Sequence, residues 1–291
     1  MSEQDFTIGF ESQQEWGWLA AVALFLEGLG AGLYLVSVFL DYTLGAALGI
    51  IVVLLGALAL FLDLGRPLRF WRAIVNVSSS WISRGALLIG LFTAFGLLYL
   101  APQAGLAALP WSRETALGQA LIALSALCAF LVAVYTGFLL SSSPSIPLWN
   151  SFFVPVQFFV YAILGGAMML FPLRLVGQDD GVDWSMLEAG QLWLVAASLV
   201  LVVGYLAVMS SSTVAGRRSV NLLLRGALSG IFVWGVLVVG LGLPLLIGVY
   251  AAIGSAGNAA GLLALSAVLV LVGSYLFRYA LLKAGLYVPL I

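Results

Sequence analysis

The sequence predicts an all-α integral membrane protein with eight transmembrane helices. Of its 291 residues, 63% are hydrophobic and only 8% are charged, and the mean hydropathy is +1.17. Soluble domains contain about 45–50% apolar residues. Several apolar stretches reach the roughly 20 residues that a helix needs to cross a bilayer. The alternating segments of about 10 residues that are typical of outer-membrane barrels are missing.

Glycine, proline and serine separate the apolar stretches and therefore set the predicted order of the elements. We expect a polar N-terminal arm (1–16), which lacks the basic start and cleavage site of a signal peptide. Two four-helix halves follow, at 17–140 and 150–282, and no soluble domain fits in the loops. The predicted spans are 17–40, 44–62, 84–100, 115–140, 150–171, 187–210, 222–250 and 259–282.

Charge is concentrated between the second and third spans, where the sequence reads LDLGRPLRFWRAIVNVSSSWISRG. Gly65 and Pro67 are suited to end span two and to start a short helix. In PLRFWRAIV, Leu68, Trp71 and Val75 share one face, which predicts a short helix lying in the membrane interface. We expect Asp63 to lie just inside the membrane, near enough to pair with Arg66 or Arg84. Such a pair either anchors this segment or braces a site or docking surface.

Basic residues lie mainly on one side of the predicted bundle. Eight spans place both termini on the same side, which we call side A. The opposite side has two basic residues, Arg113 and Arg174. Because positive residues favour the cytoplasm, we expect side A to be cytoplasmic. The nine basic residues assigned to side A are Arg66, Arg69, Arg72, Arg84, Arg217, Arg218, Arg225, Arg278 and Lys283.

Glu27 is the most informative ionisable residue within a span. It lies about ten residues into span one, roughly 15 Å from its side A end at 1.5 Å per residue. The flanking glycines of FLEGLGAGLYL allow neighbouring helices to approach closely. A carboxyl group there faces protein or water, and ionisable residues within spans indicate function. Glu27 is therefore either a group that takes up and releases protons or a hydrogen-bonded packing residue.

Other polar groups fall in the same half of the bundle. Tyr135 is near the side A end of span four, where its phenol can donate to a carbonyl oxygen or serve as an interfacial anchor. Arg278 near the end of span eight and Arg225 at the start of span seven can extend to the interface. A shared site in this half explains the clustering more simply than several unrelated roles.

The residues that are missing exclude several redox groups. The chain has no histidine and one cysteine, Cys128. A histidine-ligated haem and an iron–sulfur cluster, which normally needs four thiolates, are therefore not expected in this chain. We also expect no metal site and no nucleic-acid partner.

Four motifs together resemble the NrfD/PsrC family of membrane subunits of polysulphide-reductase-type complexes. They are DLGRPLRFW after span two, YTGFLLSSSPSIPLWN at the end of span four, EGLGAGLYL in span one and YLFRYALLKAG near the C-terminus. The resemblance implies a quinone-binding or quinol-binding subunit in a prokaryotic cytoplasmic membrane. It implies electron exchange with a docked ferredoxin-like iron–sulfur subunit, joined to a large molybdopterin subunit. Menaquinone and ubiquinone both fit this role.

The resemblance also implies roles for individual residues. Tyr135 matches the tyrosine that hydrogen-bonds the quinone, and Asp63 matches the acid of the DLGRP motif. Some relatives have Asn and His early in span one, whereas this chain has WLAAVALFLE. We therefore expect Glu27 to take over part of that polar role, with Arg66 bracing the site. Glu27 and Asp63 form the expected proton path, and the expected docking residues are Arg69, Arg72, Arg84, Arg217 and Arg218.

Two other functions remain open at this point. A secondary transporter or proton-translocating protein would use Glu27 as its coupling acid. Inverted repeats and broken helices at mid-membrane are common in transporters, and the sequence shows neither. A passive anchor would merely hold a soluble enzyme at the membrane. In the favoured interpretation the protein has no catalytic residue of its own and reacts with quinone as part of a complex.

Overall fold

The computed structural model describes residues 10–63, 80–105, 109–175, 182–253 and 259–288. Within these ranges, eight helical segments are long and apolar enough to cross a membrane, which confirms the predicted fold class and span number. The predicted interfacial helix after span two, with Arg66, Arg69 and Arg72, lies outside the described residues. The division into two four-helix halves stays a prediction. The first helix packs against helices of both predicted halves.

The first six spans begin and end within a few residues of their predicted bounds. Their helices are α1 (Trp18–Phe39), α2 (Thr43–Asp63), α3 (Trp81–Leu100), α4 (Ala116–Ser141), α5 (Phe153–Met168) with the short α6 (Phe171–Leu175), and α7 (Trp184–Ser212). Side-chain caps fix several starts: Ser80 accepts from the Ser83 amide of α3, and Thr115 accepts from the Gly118 amide of α4.

The predicted start of the seventh span was wrong. Leu222 belongs to a separate amphipathic helix, α8 (Val214–Leu224), and Arg225 follows that helix instead of opening the span. The span itself is a π-helical segment (Gly230–Gly242) that continues as α9 (Leu243–Ile253). The eighth span is α10 (Ala259–Lys283). Thr213 caps α8 by accepting from the Gly216 amide at 3.0 Å, so the chain turns directly from α7 into it.

Both ends of the described chain lie on one face. Ser12 of the N-terminal arm forms an antiparallel bridge with Leu286, and the Gln13 amide donates to the Gly285 carbonyl at 3.0 Å. The Gln13 side chain also donates to the Leu282 carbonyl at 2.8 Å. The arm is therefore attached to the end of α10, as an even number of spans requires.

Glycines of α1 hold the first helices together, as the sequence predicted. A Cβ on Gly30 would lie 2.5 Å from the backbone nitrogen of Val53 in α2. A Cβ on Gly32 would overlap the backbone of Ala162 in α5. The two glycines lie on different faces of α1, so α2 and α5 both reach van der Waals contact with its backbone.

A second close crossing joins the π-helical segment to α10, and it gives a testable stability prediction. A Cβ on Gly240 would lie 2.5 Å from the Cα of Gly273, so neither position has space for a side chain. Gly273→Leu is therefore expected to lower the free energy of unfolding by about 1–3 kcal/mol, the usual cost of overpacking. Titration with a denaturing detergent measures this free energy of unfolding. The matched control is Gly261→Leu in the same helix, where an added Cβ meets nothing within 4 Å. Equal stability of the two variants would contradict this crossing.

Candidate functional site

A cleft of about 630 Å³ separates α2 from α3 on the side A half of the bundle. It opens toward the lipid-facing surface, where the lining residues Leu54, Leu87 and Leu91 are exposed. Its size is typical of a small-molecule site. The walls are almost wholly apolar, and Glu27 and Thr93 are the polar lining residues. The full lining is Glu27, Leu54, Ala57, Leu60, Ile82, Ala86, Leu87, Ile89, Gly90, Leu91, Thr93 and Ala94.

Glu27 forms the polar part of the inner wall. It is fully buried, and neither of its carboxyl oxygens has a hydrogen-bond partner among the described residues. Gly56 of α2 packs directly on it, because a Cβ there would lie 2.9 Å from the Glu27 Cγ. Thr93, by contrast, donates its hydroxyl to the Ile89 carbonyl at 2.8 Å. Glu27 is therefore the lining residue with unused hydrogen-bonding capacity.

Tyr135 of α4 lies beside Glu27. Its side chain is buried, and its hydroxyl has no hydrogen-bond partner in the described part of the chain. The carboxyl group and the phenol are close enough to interact electrostatically, although they lack the geometry of a hydrogen bond. A buried polar group without a partner costs about 1–3 kcal/mol. The pair thus offers an acceptor and a donor to a third group.

Gly85 of α3 makes room for the phenol. A Cβ at this position would overlap the Tyr135 ring. Ser83, two residues earlier, is buried and its hydroxyl also lacks a partner among the described residues. Sequence reasoning missed Gly85, Ser83, Gly90 and Thr93. A helical glycine or serine gives no sign of which neighbour it faces, so no local signal identifies these four.

The other predicted site residues either lie outside the cleft lining or fall outside the described residues. Asp63 is the last residue of α2, one turn beyond the lining residue Leu60, and it is exposed. Arg84 lies in the first turn of α3, with its guanidinium 4.7 Å from the Trp81 ring centre. Arg217 and Arg218 lie on α8 and do not line the cleft.

Comparison with known proteins supports the resemblance seen in the motifs. The family model described as "Polysulphide reductase, NrfD" matches residues 8–289. The chain belongs to the NrfD family. It is 27% identical to one of the chains of the polysulfide reductase of Wolinella succinogenes over 316 residues, which covers 93% of this protein and 94% of that relative.

Two further relatives of this NrfD protein belong to enteric bacteria. Protein NrfD of Escherichia coli is 28% identical over 303 residues, covering 93% of the present sequence and 94% of the relative. One of the subunits of the tetrathionate reductase of Salmonella typhimurium is 33% identical over 143 residues, covering 48% of the present sequence and 40% of the relative. The family match and the eight apolar helices together indicate a multi-pass membrane protein.

Arg278 does not extend to the interface, which was one of the two roles that the sequence left open for it. Its side chain is 1% exposed, and its Nη1 donates to the Ser274 carbonyl at 3.1 Å and to the Ser274 hydroxyl at 2.6 Å. The guanidinium packs 4.7 Å from the Phe158 ring centre and beside Gly28. Tertiary packing places this arginine within the protein because α1 and α5 cover it.

Metal chemistry has no support in the described residues, where no three His, Cys, Asp or Glu side chains come together to hold an ion. Two ion pairs form among the described residues on the side opposite to side A. Arg174 bonds Glu188 at 2.8 Å, and Arg113 pairs with Asp41. Glu27, in the wall of the apolar cleft, and the neighbouring Tyr135 are therefore the candidate site groups that the described residues offer.

Proposed function

We propose that this protein is the quinone-reactive membrane subunit of a respiratory oxidoreductase complex. It would exchange electrons with a docked ferredoxin-like iron–sulfur subunit, which connects to a large molybdopterin subunit. The observation that carries the proposal is the lipid-facing cleft between α2 and α3 with the unpaired Glu27 carboxyl group in its wall. Membership of the NrfD family, whose relatives include components of polysulfide and tetrathionate reductases, supports it.

The residues of the cleft fit a quinone. An apolar channel open to lipid suits an isoprenoid tail, and a ring with two oxygens needs polar groups at the inner end. Tyr135 would donate a hydrogen bond to one oxygen from its unpaired hydroxyl. A bound quinone or quinol supplies two-electron, two-proton redox chemistry, and either menaquinone or ubiquinone satisfies these contacts.

Glu27 would hold the proton that the head group gains or loses. Its full burial excludes bulk water, so a proton needs a further acceptor to leave. Asp63, exposed at the end of α2, would complete that path to the side A surface. Arg66 is proposed to brace this end of the site, as the family motif implies.

Partner docking is proposed on side A, which we expect to face the cytoplasm because nine of the eleven basic residues belong there. Arg69, Arg72, Arg84, Arg217 and Arg218 are the proposed docking residues. Arg84 supports this role most directly, since it lies at the start of α3 next to the side A end of the cleft.

Photoaffinity labelling of the purified complex tests the proposal. An azido-quinone is expected to label peptides of α1, α2 and α3 that line the cleft, and excess unlabelled quinone should suppress this labelling. Mass spectrometry of the cross-linked peptides locates the label. Labelling confined to the second, smaller cleft, about 260 Å³ between α1, α5 and α7, would refute the assignment. Saturable proton flux through the isolated protein without any labelling would instead favour the transporter.

A further inference from the structure

A basic pocket on the side A surface lies apart from the quinone cleft. Its volume is about 430 Å³, and α8, the N-terminal arm and the C-terminal segment each contribute to it. The polar lining residues are Arg218, Asn221 and Arg225. Their spacing of three and four residues places them along one edge of α8 and its C-terminal turn.

Arg218, Asn221 and Arg225 are exposed side chains that the fold brings together in one pocket. The Asn221 carbonyl accepts from the Arg225 and Gly226 amides at 2.9 and 2.8 Å, which fixes the turn that carries Arg225. The opposite wall is Phe10, whose ring lies 4.4 Å from the Arg218 guanidinium. The bridge between Ser12 and Leu286 holds that wall in place.

The charge in this pocket is uncompensated within the described residues. Neither Arg218 nor Arg225 forms an ion pair with a described carboxylate at 4.0 Å or less. Glu11 and Glu15 of the described part of the arm line a separate depression, which Phe10 also borders. Two guanidinium groups and one amide therefore face the same space, a donor set that suits a phosphate.

The position of α8 at the membrane surface indicates that the phosphate belongs to a lipid. The helix lies between the end of α7 and the start of the next span, so the chain holds it at the membrane surface. Its inner face is buried through Ala215, Ser219 and Leu223, while Val214 and Leu224 are exposed apolar residues at its two ends. The apolar face of α8 is therefore covered by the protein, which leaves the polar edge with Arg218 and Arg225 exposed at the membrane surface.

We infer that this pocket binds the phosphate of an anionic phospholipid. The headgroup phosphate meets Arg218, Asn221 and Arg225. Two neighbouring guanidinium groups repel the cation of a zwitterionic headgroup, so the pocket selects lipids with net negative charge. This inference assigns Arg218 to lipid rather than to partner docking, and it does not depend on quinone binding.

Reconstitution of the full-length protein into nanodiscs tests this inference. The double variant Arg218→Gln, Arg225→Gln is compared with Arg217→Gln, which removes one charge from the same helix outside the pocket. Native mass spectrometry measures retained phosphatidylglycerol, and thermal unfolding is followed in phosphatidylcholine discs with and without phosphatidylglycerol. Wild type and Arg217→Gln should retain the lipid and unfold at a higher temperature when it is present. The double variant should lose this shift in unfolding temperature. Its affinity for phosphatidylglycerol should fall about fivefold for each guanidinium group removed.

Four results would overturn the inference. The double variant could keep the phosphatidylglycerol shift. Inorganic phosphate could raise the unfolding temperature of the wild type in phosphatidylcholine discs as much as the lipid does, which would indicate a site for a free anion. The double variant could lose the co-purifying subunits of the complex but keep the lipid shift, which would indicate a docking surface. It could also unfold earlier than wild type in pure phosphatidylcholine, which would indicate a structural role.

Discussion

Glu27→Gln is expected to lower quinone-linked turnover of the assembled complex about a hundredfold, the lower range for loss of a positioned proton-transfer group. The substitution keeps the size of a fully buried side chain and removes its ability to exchange a proton. Activity with a soluble dye, which bypasses the membrane subunit, should remain unchanged. Both rates are measured on the same purified preparation, so a loss of assembly is distinguished from a loss of proton transfer.

A pair of tyrosine variants provides the matched comparison. Tyr135 and Tyr161 are both buried, and both hydroxyls lack a hydrogen-bond partner among the described residues. Neither ring is part of the cleft lining, but Tyr135 lies beside Glu27, whereas Tyr161 lies in α5 near Arg278. Tyr135→Phe should reduce quinone-linked turnover about tenfold, the value of one hydrogen bond, whereas Tyr161→Phe should leave it unchanged. Normal turnover in both Glu27→Gln and Tyr135→Phe would show that the site lies elsewhere.

Gly90→Leu is expected to raise the KM for quinone at least tenfold. Gly90 lines the cleft, and a Cβ added there meets nothing within 4 Å, so a leucine side chain extends into the space between α2 and α3. Leucine also favours a helix over glycine by nearly 1 kcal/mol, so the fold should not be weakened. Steady-state kinetics over a range of quinone concentrations measures the effect.

Gly190→Leu is the control for this variant. Gly190 is an equally open helical glycine, but it lines the smaller cleft between α1, α5 and α7. The same substitution there should leave the KM for quinone unchanged. If Gly90→Leu also has a normal KM, quinone does not enter between α2 and α3. If Gly190→Leu alone raises it, the smaller cleft is the entry route.

The membrane class, the eight spans and the family are determined by the sequence alone. The thickness of the bilayer requires about 20 apolar residues in each span, a local property that can be counted along the chain. The four motifs identified the NrfD family in the same way. The carboxyl group of Glu27 was predicted to be buried because a mid-span position leaves it few alternatives.

Only the tertiary structure decided where the cleft lies and which groups meet there. Gly90 faces open space, whereas Gly273 faces the backbone of another helix. This difference depends on which helices pack together, and the residues next to each glycine in the sequence do not determine it. The same holds for Arg278, which is enclosed by other helices, and for α8, whose polar edge becomes a pocket only when both chain ends pack against it. Hydropathy reports transfer of a segment into lipid, whereas these features arise from contacts between segments distant in sequence.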